Sequence, residues 1–134
     1  MEYNLSVGLK AEKRAIVTKD NTAVHFGSGS VAVYATPALV TLMETASVAA
    51  VDPHLPEPMA TVGTDLNIRH LAATPVGMTV RAVAELTAID GRRLIFSVTA
   101  FDEKEQIGSG THERYIIDTK KFLQKTEAKM NENI

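Results

Sequence analysis

Glu44 is the one charged residue in the stretch ATPALVTLMETASVAAV, Ala35 to Val51. A carboxylate taken out of water without a partner costs several kcal/mol or takes up a proton. A glutamate in such a run either faces a narrow polar side of its element or has chemistry to perform. Three other polar residues stand where chemistry or structure would use them. His70 ends the segment TDLNIRH beside a turn, where an imidazole can face a cleft or be satisfied in the core. Thr36 can accept a backbone N–H at the start of a helix. His112, in GSGTHER, belongs to a segment whose glycines signal a bulge or the close approach of another backbone. Taken singly, none of the four establishes an active site.

The element that carries Glu44 reads as a helix. Thr36 is placed to cap it, Pro37 suits the first helical position, and Ala, Leu and Met fill the interior. Asp52-Pro53 should end it, since a proline disfavours the α region in the residue before it and has no N–H to continue the ladder. Apolar residues point in nearly every direction around this helix, from Leu39 to Ala49, so other structure must wrap it. Thr41, Thr45 and Ser47 mark a narrow wet side.

Short β-like segments are expected at 11–17 and 22–26, with a turn at Lys19-Asp20-Asn21. The run Gly27-Ser28-Gly29-Ser30 reads as a connection: no lysine follows at the spacing of a phosphate-binding loop. After the prolines at 53, 56 and 58, residues 60–71 read as a strand and 72–77 as a turn. Residues 78–89 and 93–102 alternate apolar with polar, joined by the hairpin signal Asp90-Gly91. A last strand is expected over 106–117 and a lysine-rich helix over 118–131. The pattern predicts an α+β domain in which an antiparallel meander curls around one long central helix, the hot-dog architecture, with one domain spanning 1–134.

Composition excludes several function classes. A net charge of −2 gives no footprint for a polyanion, so nucleic acid is not an expected partner. There is no cysteine, which removes thiol catalysis, disulfides and thiolate metal sites together. The histidines at 25, 54, 70 and 112 show no close ligand spacing, so a metal-free protein without a resident cofactor is expected. MEYNLSVGLKAEKRA lacks the apolar core of a signal peptide, and no run approaches the about 20 apolar residues that span a bilayer. A soluble, cytoplasmic protein without a membrane partner is the expectation.

The chain from Tyr34 to Phe122 resembles the fluoroacetyl-CoA thioesterase family of hot-dog proteins. The resemblance rests on Tyr34-Ala35-Thr36 through Leu42-Met43-Glu44, Gly63-Thr64, His70 with Ala72-Ala73-Thr74-Pro75, Gly91-Arg92-Arg93-Leu94, and Ile107 through Arg114. It implies hydrolysis of a short acyl-CoA thioester, coenzyme A being part of the substrate. It further implies Thr36, Glu44 and His70 as the catalytic residues, with Gly63 and Arg114 at the substrate, where Ala38 is expected as a backbone donor. Glu44 would attack the thioester carbonyl to form a mixed anhydride or activate a water, alternatives the sequence leaves open. His70 would assist proton transfer, and Thr36 with backbone N–H groups from Ala38 onward would hold the carbonyl oxygen, Pro37 having no N–H. The family's phenylalanine-bearing lid is a longer segment than its counterpart here, HFGSGSVAVY, in which Phe26 is the only phenylalanine. No large preference for a fluorinated acyl group is therefore expected.

Thr36 and Glu44 are eight positions apart, or about 12 Å along a helix at 1.5 Å per residue. They cannot grip one carbonyl within one chain. A two-fold homodimer with sites at the subunit interface would bring them together. A hot-dog hydratase or dehydratase on acyl thioesters, and a non-catalytic acyl-CoA-binding domain, are the alternatives, separated from a thioesterase by release of free thiol.

Overall fold

Alternation in the C-terminal half builds the sheet. Val80, Ala82, Ala84 and Leu86 are fully buried on one side of β3 (Thr79–Asp90), and Leu94, Phe96, Val98 and Ala100 do the same on β4 (Arg93–Phe101). The two join at Gly91-Arg92, where Gly91 takes the left-handed conformation (φ 60°) that a tight hairpin needs. β5 (Gln106–Asp118) continues the meander. The structure, a computed structural model, describes residues 3–131. The remaining elements are β1 (Lys10–Ile16), α1 (Ala23–Phe26), α2 (Thr36–Val51), β2 (Met59–His70) and α3 (Thr119–Glu127), with 3-10 turns at Lys19–Asn21, Asp52–His54 and Ala128–Asn131.

The five strands are antiparallel in the order β1-β3-β4-β5-β2. The sheet is therefore not a simple meander after the helix: β2 bypasses β3 and pairs with β5 at the far edge. Two glycines of β5 make this possible. A side chain at Gly110 would run into the backbone of β2 at Asn67 and Ile68, and one at Gly108 would lie 3.0 Å from Leu39 and Met43 of α2. The sheet curls around α2, whose Leu39, Leu42, Met43, Ala46, Ala50 and Val51 are buried in one core with the apolar faces of β3 and β4. This is the hot-dog arrangement.

Three local expectations are corrected. Residues 23–26 form a helical turn instead of a strand: the Thr22 hydroxyl accepts the His25 N–H at 3.4 Å, and Gly27, left-handed at φ 69°, closes the turn. Thr36 is not the helix cap. Ala35 occupies that position without a side-chain cap, so Thr36 is the first helical residue and its hydroxyl is free for another partner. Ser47 is not on a wet side but fully buried, its hydroxyl donating to the Met43 carbonyl at 2.9 Å. The polar strip along α2 is instead Thr41, Glu44 and Thr45, flanked by half-buried Val40 and Val48. α2 ends at Val51 and passes into the 3-10 turn containing Pro53, as the proline dictates. Asp118 caps α3 by accepting from the N–H groups of Lys120 and Lys121. Among the described residues no helix is long and apolar enough to cross a membrane.

One irregularity positions the site. The β2–β5 register shifts between Gly63 and Asp65, leaving Thr64 as an extra residue. Residues seven apart on a regular strand face opposite sides. The bulge reverses the parity, so that Gly63 and His70 both face α2.

Candidate active site

The start of α2 and the end of β2 meet at a hydroxyl and an imidazole. Thr36 Oγ1 and His70 Nδ1 lie 2.7 Å apart, a hydrogen bond available because Thr36 does not cap its helix. His70 Nε2 is buried with no hydrogen-bond partner among the described residues. Burial pushes His70 below the ordinary imidazole range, against a smaller opposing effect of the Ala72 backbone, so the ring is held neutral. The first α2 N–H to bond inside the helix is that of Leu39, to the Ala35 carbonyl at 3.0 Å. Thr36, as the first helical residue, and Ala38 present N–H groups at the positive end of the helix dipole, Pro37 between them having none. An open cavity of about 350 Å³ is lined there by Val33, Tyr34, Thr36, His70, Leu71 and Ala72 among others. Burial pushes the Tyr34 phenol up to about 12, so it stays protonated beside the pair. Among the described residues no phenylalanine lines this cavity, and Phe26 is half exposed on α1.

Two turns further along α2, Glu44 reaches over β2 to β5. Its Oε2 lies 3.7 Å from Nη1 of Arg114, and the glutamate side chain is 40% exposed while the arginine side chain is 8% exposed. Gly63 makes room for this approach: a methyl group there would sit 2.9 Å from Glu44 Oε2, 3.2 Å from His112 Cε1 and 3.3 Å from Arg114 Nη1. Arg114 donates from Nε to Thr61 Oγ1 at 2.8 Å and from Nη2 to the Thr61 carbonyl at 3.0 Å. Thr61 in turn donates to Asp52 Oδ1 at 2.6 Å. His112 stands within 3.1 Å of Arg114 Nη1 through Nε2, and within 2.8 Å of the Asp65 carbonyl through Nδ1. A cavity of about 230 Å³ opens beside Val40, Glu44, Gly63, Thr64, Leu66 and His112.

The six expected catalytic and substrate-binding residues thus fall into two groups. Thr36, Ala38 and His70 gather at the N-terminus of α2; Glu44, Gly63 and Arg114 gather at its middle, joined by His112. The first group offers a hydroxyl, a neutral imidazole and a backbone donor, suited to an oxygen gaining negative charge. The second offers a carboxylate beside a guanidinium, suited to attack on a carbonyl carbon or on a water proton. Thr61 and Asp52 escaped the sequence reading: a threonine inside a strand and an aspartate at a helix end carry no signal that they support a buried arginine far along the chain, 53 positions away from Thr61. No group of histidine, aspartate and glutamate able to hold a metal occurs among the described residues.

Residues 17–120 match the model of a protein family described as fluoroacetyl-CoA-specific thioesterase. The chain is 46% identical over 97 residues to the fluoroacetyl-CoA thioesterase of Streptantibioticus cattleyicolor, covering 72% of this chain and 70% of that one. It superposes on a solved structure of the fluoroacetyl-CoA thioesterase FlK with a TM-score of 0.89 at 38% identity, over 94% of this chain and 98% of the other. Variants of that enzyme have been solved with fluoroacetate, with acetyl-CoA, and with fluoroacetate and CoA. A thioesterase superfamily member from Thermus thermophilus superposes with a TM-score of 0.83 at 32% identity, over 95% of this chain and 97% of its own.

Proposed function

The chain belongs to the fluoroacetyl-CoA-specific thioesterase family, hot-dog hydrolases of acyl-CoA thioesters, and we propose that it cleaves short-chain acyl-CoA in sites built from two copies of itself. The observation that carries this reading is the division of the polar groups along α2. Thr36 and His70 are bonded to each other at one cavity, while Glu44 stands at another with Arg114, about 12 Å further along the helix. A reacting carbonyl needs its oxygen donors and its attacking atom within roughly 3 Å. Two chains packed with their α2 helices antiparallel bring the Glu44 of one to the Thr36–His70 pair of the other, and cover the half-buried Val40 and Val48.

In such a site the acyl carbonyl oxygen accepts from Thr36 and from the Ala38 N–H. Glu44 of the other chain either forms a bond to the carbonyl carbon, expelling the CoA thiolate and leaving a mixed anhydride for water to open, or takes a proton from the water that attacks. Through His70 the thiolate receives the proton that the hydrolytic water gives up, the neutral ring taking up one proton as it passes one on. Gly63 keeps the space over the acyl group free, and Arg114 supplies positive charge beside Glu44. The cavity lining without a phenylalanine supports a site for small acyl groups with no large preference for the fluorinated one.

An acyl-CoA panel read by release of free thiol tests this. Acetyl-CoA and its short homologues should turn over, with fluoroacetyl-CoA not favoured by orders of magnitude. Glu44→Gln should fold and lose turnover by about 10²–10⁴-fold, the range for removing a catalytic base. A folded Glu44→Gln variant with near-normal turnover overturns the assignment, and so does hydration of an enoyl-CoA without thiol release.

A further inference from the structure

The second histidine of the site has no task in the reaction just described, yet it is 2% exposed and its two ring nitrogens are both committed. Nδ1 faces the Asp65 carbonyl, which can only accept, so Nδ1 carries the proton. Nε2 faces Arg114 Nη1, which can only donate, so Nε2 must offer its lone pair. The partners thus dictate one neutral tautomer. The opposite tautomer would set an N–H against a guanidinium N–H, and an imidazolium would add a like charge in a buried place.

We propose that His112 is a positioning residue for hydrolysis: its Nε2 lone pair fixes the rotation of the Arg114 guanidinium so that Nη1 is presented to the Glu44 carboxylate. Arg114 is held on three edges, by Thr61 Oγ1 at Nε, by the Thr61 carbonyl at Nη2 and by His112 at Nη1. Nη1 has two hydrogens, and one engaged by His112 leaves the other for Glu44 Oε2, 3.7 Å away. The three side chains converge over Gly63, whose missing side chain is what lets them meet. The β2 bulge at Thr64 participates as well, because the register after it sets Asp65 beside the His112–Arg114 segment of β5. Neither ring nitrogen is free to touch a substrate, so His112 acts through Arg114 and Glu44. Burial, with the adjacent Arg114 charge, also holds the ring below the ordinary imidazole range, as an acceptor requires.

The proposal rests on Glu44 being the reacting carboxylate, and two substitutions separate it from that reading. His112→Asn keeps a donor near the Asp65 carbonyl but is too short to accept from Arg114; His112→Gln sets an amide oxygen near the position of Nε2. His112→Asn should lower kcat about tenfold to a hundredfold with KM little changed, as expected for losing a hydrogen bond to a charged group. His112→Gln should keep kcat within about threefold of the wild type. Equal kcat in the two folded variants overturns the proposal. The imidazole ¹⁵N spectrum of the wild-type protein decides without any variant: a protonated Nδ1 with a bare Nε2 at neutral pH is expected, and a protonated Nε2 overturns it. If Glu44→Gln is active, the functional reading fails whatever the spectrum shows. If Glu44→Gln is dead and His112→Asn retains wild-type kcat, the role of His112 alone is wrong.

Discussion

At its N-terminal end α2 contributes groups without net charge, the Thr36 hydroxyl bonded to a neutral His70 and a backbone N–H. At its middle it contributes Glu44, set against a buried guanidinium that is tied through Thr61 to Asp52. The first half-site is assembled from a helix start and the end of an edge strand, and one hydrogen bond joins its two side chains. The second is braced by β2, β5 and the C-terminal end of α2. Each lacks what the other has: among the described residues the first holds no carboxylate, and the second has no hydroxyl–imidazole pair at a helix N-terminus, four of the five Arg114 N–H donors being engaged by Thr61, His112 and Glu44. The proposed shared site joins these two halves by laying the α2 helices of two chains side by side.

Subunit mixing breaks or upholds that comparison with the largest effect. Thr36→Val and Glu44→Gln should each be nearly inactive as homodimers. After exchange, a heterodimer owns one site with both residues intact and one lacking both, so thiol release should recover to about half of wild type per heterodimer. A mixture that stays inactive after confirmed exchange between folded subunits excludes the shared site.

A smaller effect sharpens the difference in bracing. Gly63→Ala places a methyl group 2.9 Å from Glu44 Oε2, and the flexible end of the glutamate can swing aside. The fold should survive while kcat falls about tenfold, because the carboxylate loses its place beside Arg114. A stability loss as large as the activity loss would mean that the second half-site is only a packing feature. Thr36 is exposed, so Thr36→Ser should change the melting temperature little.

The smallest effect compares the two imidazoles. Burial holds both His70 and His112 below the ordinary value of 6.5. Below about pH 6.5 the unfolded chain therefore binds more protons than the folded one. The stability from keeping these rings neutral is whole above that pH and drains away as pH falls toward their lowered folded values. The melting temperature should drop between about pH 7 and about pH 5, and the drop should be shallower in His112→Gln, which has one such ring fewer. An unchanged slope would mean that His112 is not held neutral by its surroundings.

Much of the scaffold was legible in the chain. Alternation through Val80–Leu86 and Leu94–Ala100 is a local property of period two, and it reported two strands and their buried faces. Pro53 ended α2 through steric limits confined to neighbouring residues, and Asp90-Gly91 announced the hairpin. The lone charge of Glu44 in an apolar helix pointed to the middle of the site, and the resemblance carried Thr36, His70, Gly63 and Arg114.

What remained hidden depends on contacts distant in sequence. Thr36 has the residue type of a helix cap, and only the arrival of His70 at 2.7 Å shows that its hydroxyl is spent elsewhere. Thr22 begins what reads as a strand, yet its hydroxyl caps a turn of helix because Gly27 closes that turn five residues later. β2 joins β5 instead of β3 because Gly108 and Gly110 allow a backbone and a helix to come close, a fit between surfaces that no periodicity encodes. The single extra residue at Thr64 turns Gly63 and His70 to the same face, whereas an unbroken strand would have set them on opposite sides. The types of the candidate site groups were thus written in the sequence, while their grouping was decided by strand pairing and one bulge, because hydrogen bonds between distant segments exist only once the chain has closed upon itself.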